Sequence, residues 1–569
     1  MQMQWKILQP DPAQVKAIQA HLNCSPITAK VLANRNISTP PQADQFIRST
    51  LDILPSPMGL DDMDAACQRI FKALKQNEKI LLFGDYDADG VTAATLLYTF
   101  LKSAGADVVV HLPHRIKEGY GLQAMHINQL AVPKKINLII TVDCGSNSQE
   151  AVSAAKRFGI DVIITDHHNF DTLPSALAVI NPKKPNQPEG LSGLAGVGTA
   201  FYLVIGLRMV LRENRWWDQI KEPNLIELCD FVAIGTIADM VPLTGANRIL
   251  TKAGLKQINI CARPGIEALC RACNVQAETL SSEDISFRLA PRINAAGRVS
   301  HPLVAFELLN CQCEKQAQKL ADTLCQLNLR RQDIERQIYD AIAQRVDGRD
   351  DLLQRKTLLF ADERWHPGVL GIVAAKLTAR YHRPVVLLAI EDGMGKGSGR
   401  SIADVDLFKA LGQCEHLLDK FGGHRLAAGL SVRVENIRKL RQAFEETVIR
   451  FTQSRSNGPC LEIDSEIEFH QINPKLLDEL KGLEPYGSEN PTPIFAAREI
   501  HVVSAAMVGK HHRRMSLMQS SHGSPTVDAI QFNLTSETPR ADRFERLAFR
   551  LQWNQYRGRK RIQIVVEDF

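Results

Sequence analysis

Three apolar, β-rich runs in this chain each stop at a cluster of acidic or histidine residues, and this repetition constrains the fold more than any other feature. Residues 79–83 lead into Gly84-Asp85-Tyr86-Asp87-Ala88-Asp89-Gly90, residues 137–142 into Asp143-Cys144-Gly145, and residues 161–165 into Asp166-His167-His168. Similar runs occur at 107–112 and 177–181, and amphipathic segments of helical length, such as 92–104 and 148–158, separate them. Strand and helix alternating at that spacing predict βαβ units and a parallel sheet covered on both faces. The carboxyl ends of neighbouring strands in such a sheet share one crevice. Carboxylates and imidazoles gathered there are what a two-metal phosphoryl-transfer site needs.

The rest of the chain divides by pattern. At 569 residues it is too long for one core, and three or four domains are expected. Residues 1–75 read as a helical introduction, 76–313 as the catalytic domain, and 314–346 as one connector helix, since that stretch holds neither Pro nor Gly. A second α/β domain is expected over 347–453, with strands near 356–361 and 384–390, a helix near 370–381 and Gly-rich loops. Ser454-Arg455-Ser456-Asn457-Gly458-Pro459 reads as a linker. Residues 459–569 carry short alternating strands that fit a small β-barrel. Net charge is +5, and from His501 onward 11 Lys/Arg face 6 Asp/Glu, so the surplus lies wholly in this tail. The run Arg557-Gly558-Arg559-Lys560-Arg561 points to a polyanion-binding module or to a charged, protected strand edge.

Composition excludes some classes. No apolar run approaches the ~20 residues that span a bilayer, and the N-terminus lacks a signal-peptide pattern, so a cytoplasmic protein without a membrane partner is expected. The twelve cysteines are scattered, and the lone pair Cys270/Cys273 is weak evidence for zinc.

An Asp after a strand is often only a helix N-cap, but three clusters at three successive strand ends go beyond capping. Asp87 and Asp89, two apart in a tight loop, can reach two different ions. Asp143 can bridge two ions with its two oxygens. His167 offers a nitrogen ligand, and His168 is a second ligand or a proton donor. Asp166 is either a catalytic residue or an orienter that hydrogen-bonds backbone or ligand. Asp239, after an apolar helix, is the last candidate. Hard carboxylates with one or two imidazoles suit Mn²⁺ or Mg²⁺ better than zinc.

Together Asp87-Ala88-Asp89-Gly90, Thr141-Val142-Asp143-Cys144-Gly145, Thr165-Asp166-His167-His168 and Ala238-Asp239 resemble the four motifs of the DHH phosphoesterase superfamily. Gly119-Tyr120-Gly121, Leu194-Ala195-Gly196-Val197-Gly198, Arg292-Ile293-Asn294-Ala295-Ala296-Gly297-Arg298, Gly397-Ser398-Gly399-Arg400-Ser401 and Phe421-Gly422-Gly423-His424 narrow the resemblance to the RecJ family of single-strand-specific 5′→3′ DNA exonucleases. The order of catalytic domain, long helix, DHH-associated domain and OB-fold tail matches as well.

The resemblance implies two ions, with Asp87 on the first, Asp89, His167 and Asp239 on the second, and Asp143 between them. Many superfamily members carry a His four residues before the first motif Asp. Phe83 stands there in this chain, and either Asp85 or water takes its place. The resemblance also implies a terminal-phosphate role for Ser398 and Arg400 and, with a plain surface Arg as the alternative, for Arg115. The loop around His424 is expected near the scissile phosphate or as a plain turn. Arg292, Asn294 and Arg298 contact the strand or brace the domain interface. Implied partners are single-stranded DNA, single-stranded-DNA-binding protein and a DNA helicase, acting in repair and recombination, with the enzyme a monomer. A channel between lobes too narrow for duplex, with Phe532, Trp553 or Tyr556 either stacking on bases or filling the barrel core, is the expected basis of selectivity. Competing readings are a phosphodiesterase for short oligonucleotides and a non-catalytic DNA-binding scaffold.

Overall fold

The structure is a computed structural model, and it describes residues 4–452, 460–509, 511–520, 525–532, 534, 541–556 and 559–569. The expected linker 454–459 and Arg557-Gly558 of the basic run lie outside the described residues, as do the side chains of Tyr556 and Arg559.

The catalytic sheet comprises β1 (Lys79–Gly84), β2 (Asp107–His111), β3 (Leu138–Val142), β4 (Asp161–Thr165) and β5 (Ala178–Ile180). Its order is β2-β1-β3-β4-β5, all parallel. β1, β3 and β4 are therefore adjacent, and the three acidic clusters leave the same edge side by side. Leu82, Ile140 and Ile163 face one apolar cluster, while Leu81, Ile139 and Ile164 face another on the opposite side. Burial on both faces explains why these strands read as continuous apolar runs. Helix α1 (Ala88–Ser103) starts inside the first motif, and α2 (Gly196–Glu213), α3 (Cys229–Ala238) and α4 (Ala290–Val299) complete the walls of the crevice.

The connector is a single helix, α5 (Glu314–Asp347), of 34 residues, about 51 Å at 1.5 Å per residue. Its first half packs Ala317, Ala321 and Leu324 into the catalytic core, and its second half packs Ile338, Ile342 and Val346 into the next lobe. Glu335, 1% exposed, holds the junction through Arg331 at 2.9 Å and Lys376 at 2.9 Å.

That lobe is a mixed sheet, β9-β10-β8-β7-β6, of β6 (Leu358–Asp362), β7 (Val385–Glu391), β8 (Met394–Arg400), β9 (Lys420–His424) and β10 (Ala427–Arg433), with α6 (Leu370–Tyr381) as expected. Two expectations are corrected. Ser398 and Arg400 lie on strand β8, and His424 ends strand β9; neither segment is a loop. Glycine disfavours strands in general, but here it is required by close packing. A Cβ on Gly397 would stand 1.8 Å from the Leu387 carbonyl oxygen of β7.

The tail closes into a five-stranded barrel of β11 (Phe495–Val508), β12 (His512–Gln519), β13 (Val527–Gln531), β14 (Arg543–Tyr556) and β15 (Arg559–Asp568), in the order β11-β12-β13-β15-β14 and back to β11. Trp553 packs against the barrel core and carries the Lys560 ammonium 4.0 Å above its ring, whereas Phe532 is exposed. The N-terminal helices do not stand alone. Ile18, Ile27 and Leu32 share the barrel's core, and strand Gln4–Ile7 pairs in parallel with Cys460–Ile463. Buried Arg248 ties this unit to the catalytic lobe. It lies 3.7 Å over the Phe46 ring and donates to the carbonyls of Phe46, Glu484 and Pro485.

Candidate metal centre

The first motif turns from β1 into α1 with Asp87 as N-cap. Its Oδ1 accepts the backbone N–H groups of Asp89 and Gly90. Asn294 on α4 accepts the Ala88 N–H at 2.8 Å, so a residue 206 positions away braces the loop. Asp89, in the first turn of α1, is buried, and its two oxygens accept the N–H groups of Gly196 (2.7 Å) and Val197 (2.9 Å) at the start of α2. Asp143 follows β3 with φ of 61°, a left-handed conformation that Asp tolerates better than most residues. Its N–H is held by the Thr165 carbonyl of β4.

These turns gather the side chains into two adjoining sets. Ligand atoms of Asp85, Asp87 and Asp143 lie within 4.8 Å of one another, and so do those of Asp89, His167 and Asp239. His167 Nε2 stands 3.1 Å from Asp143 Oδ1, 3.6 Å from Asp239 Oδ2 and 3.8 Å from Asp89 Oδ2. Asp143 is the point where the two sets touch.

The electrostatics call for cations. Burial first, and then Asp87, pushes Asp89 up to about 7. Burial, Asp89 and Asp87 push Asp239 up to about 8. Burial and the neighbouring carboxylates hold Asp85 and Asp143 well above the usual carboxylate range. His167 is pushed down to about 3 by burial and by His168, so it is a neutral imidazole with a lone pair to give. Asp85 Oδ1, Asp143 Oδ1 and His167 Nε2 are buried with no hydrogen-bond partner among the described residues. Orphaned ligand atoms amid mutually repelling carboxylates fit divalent ions.

Asp166 faces away from the sets. It accepts the N–H groups of Ser146, His167 and His168, and His168 Nδ1 donates to it at 2.8 Å. Against the effect of burial, these bonds hold Asp166 below the ordinary carboxylate range. Burial also opposes the His168 charge, but the Asp166 hydrogen bond and charge lift His168 to about 9. Asp166 thus orients His168 with Nδ1 inward. Tyr120, whose hydroxyl lies 3.1 Å from His168 Nδ1, is legible in the sequence only as part of the motif Gly119-Tyr120-Gly121, without a role at the site.

Phe83 is fully buried, against the rings of His111 (5.5 Å) and His126 (4.9 Å). His111, Glu118 and His126 are close enough together to suggest another ion. A hydrogen bond argues otherwise. His126 Nδ1 accepts the Gln123 N–H at 2.9 Å, so Nε2 carries the proton and donates to Glu118 at 3.2 Å. Without a lone pair there, the trio is a structural proton-sharing group.

Two glycines shape the centre. A Cβ on Gly196 would stand 2.4 Å from Asp143 Oδ1, and one on Gly235 would stand 2.8 Å from Asp89 Oδ1. Close approach to an acidic strand end leaves no signal in one sequence beyond the glycines themselves. Gly196→Ala is expected to displace Asp143 and lower kcat about 100-fold, the scale for a ligand moved by ~1 Å, with weaker metal binding by calorimetry. Activity within threefold of wild type contradicts this role.

The nucleic-acid candidates lie on both walls of the cleft. The Arg115 guanidinium lies 4.7 Å over the Tyr86 ring, beside the metal loop. Arg400 donates to Ser398 Oγ at 3.1 Å, and both lie about Gly371 in the first turn of α6. Arg298 donates to the Gly368 carbonyl across the lobe interface. Arg292 points instead to Cys325 on α5, 3.3 Å from Sγ. His424 is exposed and sits two strands from Arg400 on the same rung, through Ala427.

Comparisons with known proteins match three domains of the chain. Residues 79–236 match the DHH family N-terminal domain, 354–450 the DHHA1 domain and 463–568 the RecJ OB domain. The single-stranded-DNA-specific exonuclease RecJ of Salmonella typhimurium is 36% identical over 565 residues, 95% of each chain. The chain belongs to the RecJ family. The Escherichia coli RecJ is 35% identical over the same length. Among solved structures, Thermus thermophilus RecJ in complex with Mn²⁺ superposes with a TM-score of 0.83 at 29% identity, covering 99% of this chain and 79% of that one. The Mg²⁺ complex gives 0.77 at 28% identity, with coverage of 99% and 78%. Both RecJ structures are described with ions of the class that the donor set here favours.

Proposed function

We propose that this chain is a two-metal, single-strand-specific 5′→3′ DNA exonuclease that releases 5′-mononucleotides. The observation that carries the reading is Asp143, a buried carboxylate that groups with Asp85 and Asp87 and whose Oδ1, without a hydrogen-bond partner among the described residues, lies 3.1 Å from His167 of the set Asp89/His167/Asp239. Two Mn²⁺ or Mg²⁺ ions held by these residues would supply an activated water and would offset charge on the attacking and leaving oxygens. Asp87 and Asp85 serve the first ion, and Asp89, His167 and Asp239 the second. His168, positively charged and fixed by Asp166, turns its Nε2 edge toward substrate and offers a proton or a hydrogen bond to the phosphodiester. Arg115, Ser398 and Arg400 take the 5′-terminal phosphate, and Asn294 and Arg298 hold the metal loop and the second lobe in register.

The same reading assigns catalysis to 76–313, strand-end binding to 347–453 and an electrostatic groove for DNA to 459–569. It makes the protein a cytoplasmic monomer working in repair and recombination, with a helicase and single-stranded-DNA-binding protein supplying its strands. Incubating 5′-labelled and 3′-labelled single strands with Mn²⁺ or Mg²⁺ tests it. The 5′ label should appear at once as mononucleotide, while the 3′-labelled strand shortens progressively. The reverse pattern, or cleavage confined to dinucleotides, defeats the assignment.

Asp85→Ala is expected to weaken the first ion about 10- to 100-fold, read by Mn²⁺ titration. Unchanged affinity rules out Asp85 as a ligand.

A further inference from the structure

Arg292 directs its guanidinium at a thiol and not at a carboxylate. Its Nε lies 3.3 Å from Cys325 Sγ on α5, and its Nη1 donates to the Arg288 carbonyl at 2.5 Å. Among the described residues no carboxylate pairs with it. Cys273 joins the same group. Its Sγ lies 3.7 Å from that Arg288 carbonyl, and its thiol hydrogen-bonds to Cys325. Cys325 Sγ in turn lies 3.8 Å from the carbonyl of Ala272, the residue before Cys273. Two thiols and one guanidinium thus converge where the helix Pro264–Ala272 ends against α5.

A guanidinium has donors only, so the sulfur it meets must accept, and that favours the thiolate. The hydrogen bond from Cys273 lowers Cys325 most; burial opposes it, Arg292 adds to the lowering and Asp322 opposes it again, leaving Cys325 at about 6. The same hydrogen bond, with burial, pushes Cys273 up. Cys325 is half-buried and open to small reagents, whereas Cys273 is buried behind it in the sense that matters for a second step: it is held against the first sulfur. Among the described residues the groups with metal-ligand spacing are carboxylate and histidine clusters, so the pair is not a metal site. A low thiol beside a second thiol is the arrangement of a reversible oxidation site. Its position ties it to the cleft. Arg292 shares α4 with Asn294, which braces the metal loop, and with Arg298, which reaches the second lobe. Arg292 also acts by repulsion on Arg331, the partner of Glu335 at the lobe junction.

We propose that Cys325 and Cys273 form a peroxide-reactive dithiol, with Arg292 activating Cys325, and that their disulfide slows turnover by releasing Arg292. The Cys325 thiolate attacks one oxygen of a hydroperoxide, the O–O bond breaks and hydroxide leaves, so Cys325 becomes a sulfenic acid. The Cys273 sulfur then attacks the Cys325 sulfur. The S–O bond breaks, the S–S bond forms, and the Cys273 proton leaves with the sulfenic hydroxyl as water. The two thiols lose two electrons and the peroxide gains them. The disulfide carries no charge for Arg292 to face, and the guanidinium turns back on Arg288 and Arg331 along the helix that braces the metal loop. Only this effect on turnover rests on the exonuclease reading above.

The test uses the full chain, reduced and metal-free, with peptide mass mapping. At pH 7 iodoacetamide should modify half-buried Cys325 about three- to tenfold faster than the exposed Cys261 and Cys313, and Arg292→Met should remove that advantage. Hydrogen peroxide should join the Cys273 and Cys325 peptides, and dithiothreitol should part them. Cys273→Ser should stop at a sulfenic acid on Cys325 that dimedone traps, and Cys325→Ser should give neither product. After Mn²⁺ is added back, the oxidised wild type should cleave single strands about threefold or more slowly, with dithiothreitol restoring the rate and Cys325→Ser unaffected by peroxide. Alkylation of Cys325 no faster than Cys261, or a cross-link between other cysteines, overturns the proposal. A complete Cys273–Cys325 cross-link with full turnover overturns the link to catalysis. Reduced protein that cleaves no single strand defeats the exonuclease reading, while the alkylation ranking and the cross-link still decide the thiol pair.

Discussion

Asp143→Asn should lower the rate of hydrolysis by about 10⁴-fold or more, roughly 5 kcal/mol of lost transition-state stabilisation, while single-strand affinity changes less than about threefold. The asparagine preserves shape and tolerates the left-handed φ of 61° that places the side chain. What it removes is charge at Oδ1, the atom through which the first set approaches the second, 3.1 Å from His167 and without a hydrogen-bond partner among the described residues. Removing a ligand of only one set, as in Asp239→Asn, should leave more activity. Gel-shift binding and single-turnover cleavage on the same preparation separate the two effects. Turnover within tenfold of wild type would remove Asp143 from the centre of the mechanism.

Metal-free protein should lose stability as pH rises from about 6.5 to 8, by about 5 °C or more in Tm, and Mn²⁺ should abolish or reverse the trend. In the folded state Asp89 titrates at about 7 and Asp239 at about 8, whereas the same groups ionise near 4 once unfolded. Folded protein therefore binds more protons over this window, and stability falls with rising pH. His168, raised to about 9, acts in the same direction, because its stabilising charge is progressively lost above the unfolded value near 6.5. His167, lowered to about 3, gains stability only up to that same value and has no further effect beyond it. Bound cations replace the protons as counter-charge. Scanning calorimetry in EDTA and in Mn²⁺ decides the matter. A metal-free Tm that holds constant or rises between pH 6.5 and 8 contradicts the crowded-carboxylate picture.

Much of the catalytic lobe is legible in the chain because its signals are local. β1, β3 and β4 are apolar and short, β3 and β4 are rich in β-branched residues, and each ends in residues poor at continuing a strand. The connector is free of helix breakers, and α5 spans it. β8 and β9 were not legible. Gly395, Gly397, Gly399, Gly422 and Gly423 read as loops because glycine lowers strand propensity, and only neighbouring backbones crowding Gly397 and Gly423 make it necessary. Pairing across the sheet overrode local preference.

The site divides along the same line. Asp87, Asp89, Asp143, His167 and Asp239 were nameable as candidates because each sits at the end of an apolar element. Tyr120, Gly196 and Gly235 owe their roles to approaches over long sequence distances, and so does the Asn294 brace on the Ala88 N–H. The sequence by itself determined which side chains can hold ions, because acid clusters after β-strands fix residue type and position through short-range geometry. Only the tertiary structure decided which of them meet. The order β2-β1-β3-β4-β5 makes the three strand ends neighbours, and α2 and α3 bring Gly196 and Asp239 against them. That convergence is a property of packing, which pairs residues by distance in space and leaves no mark on their spacing along the chain.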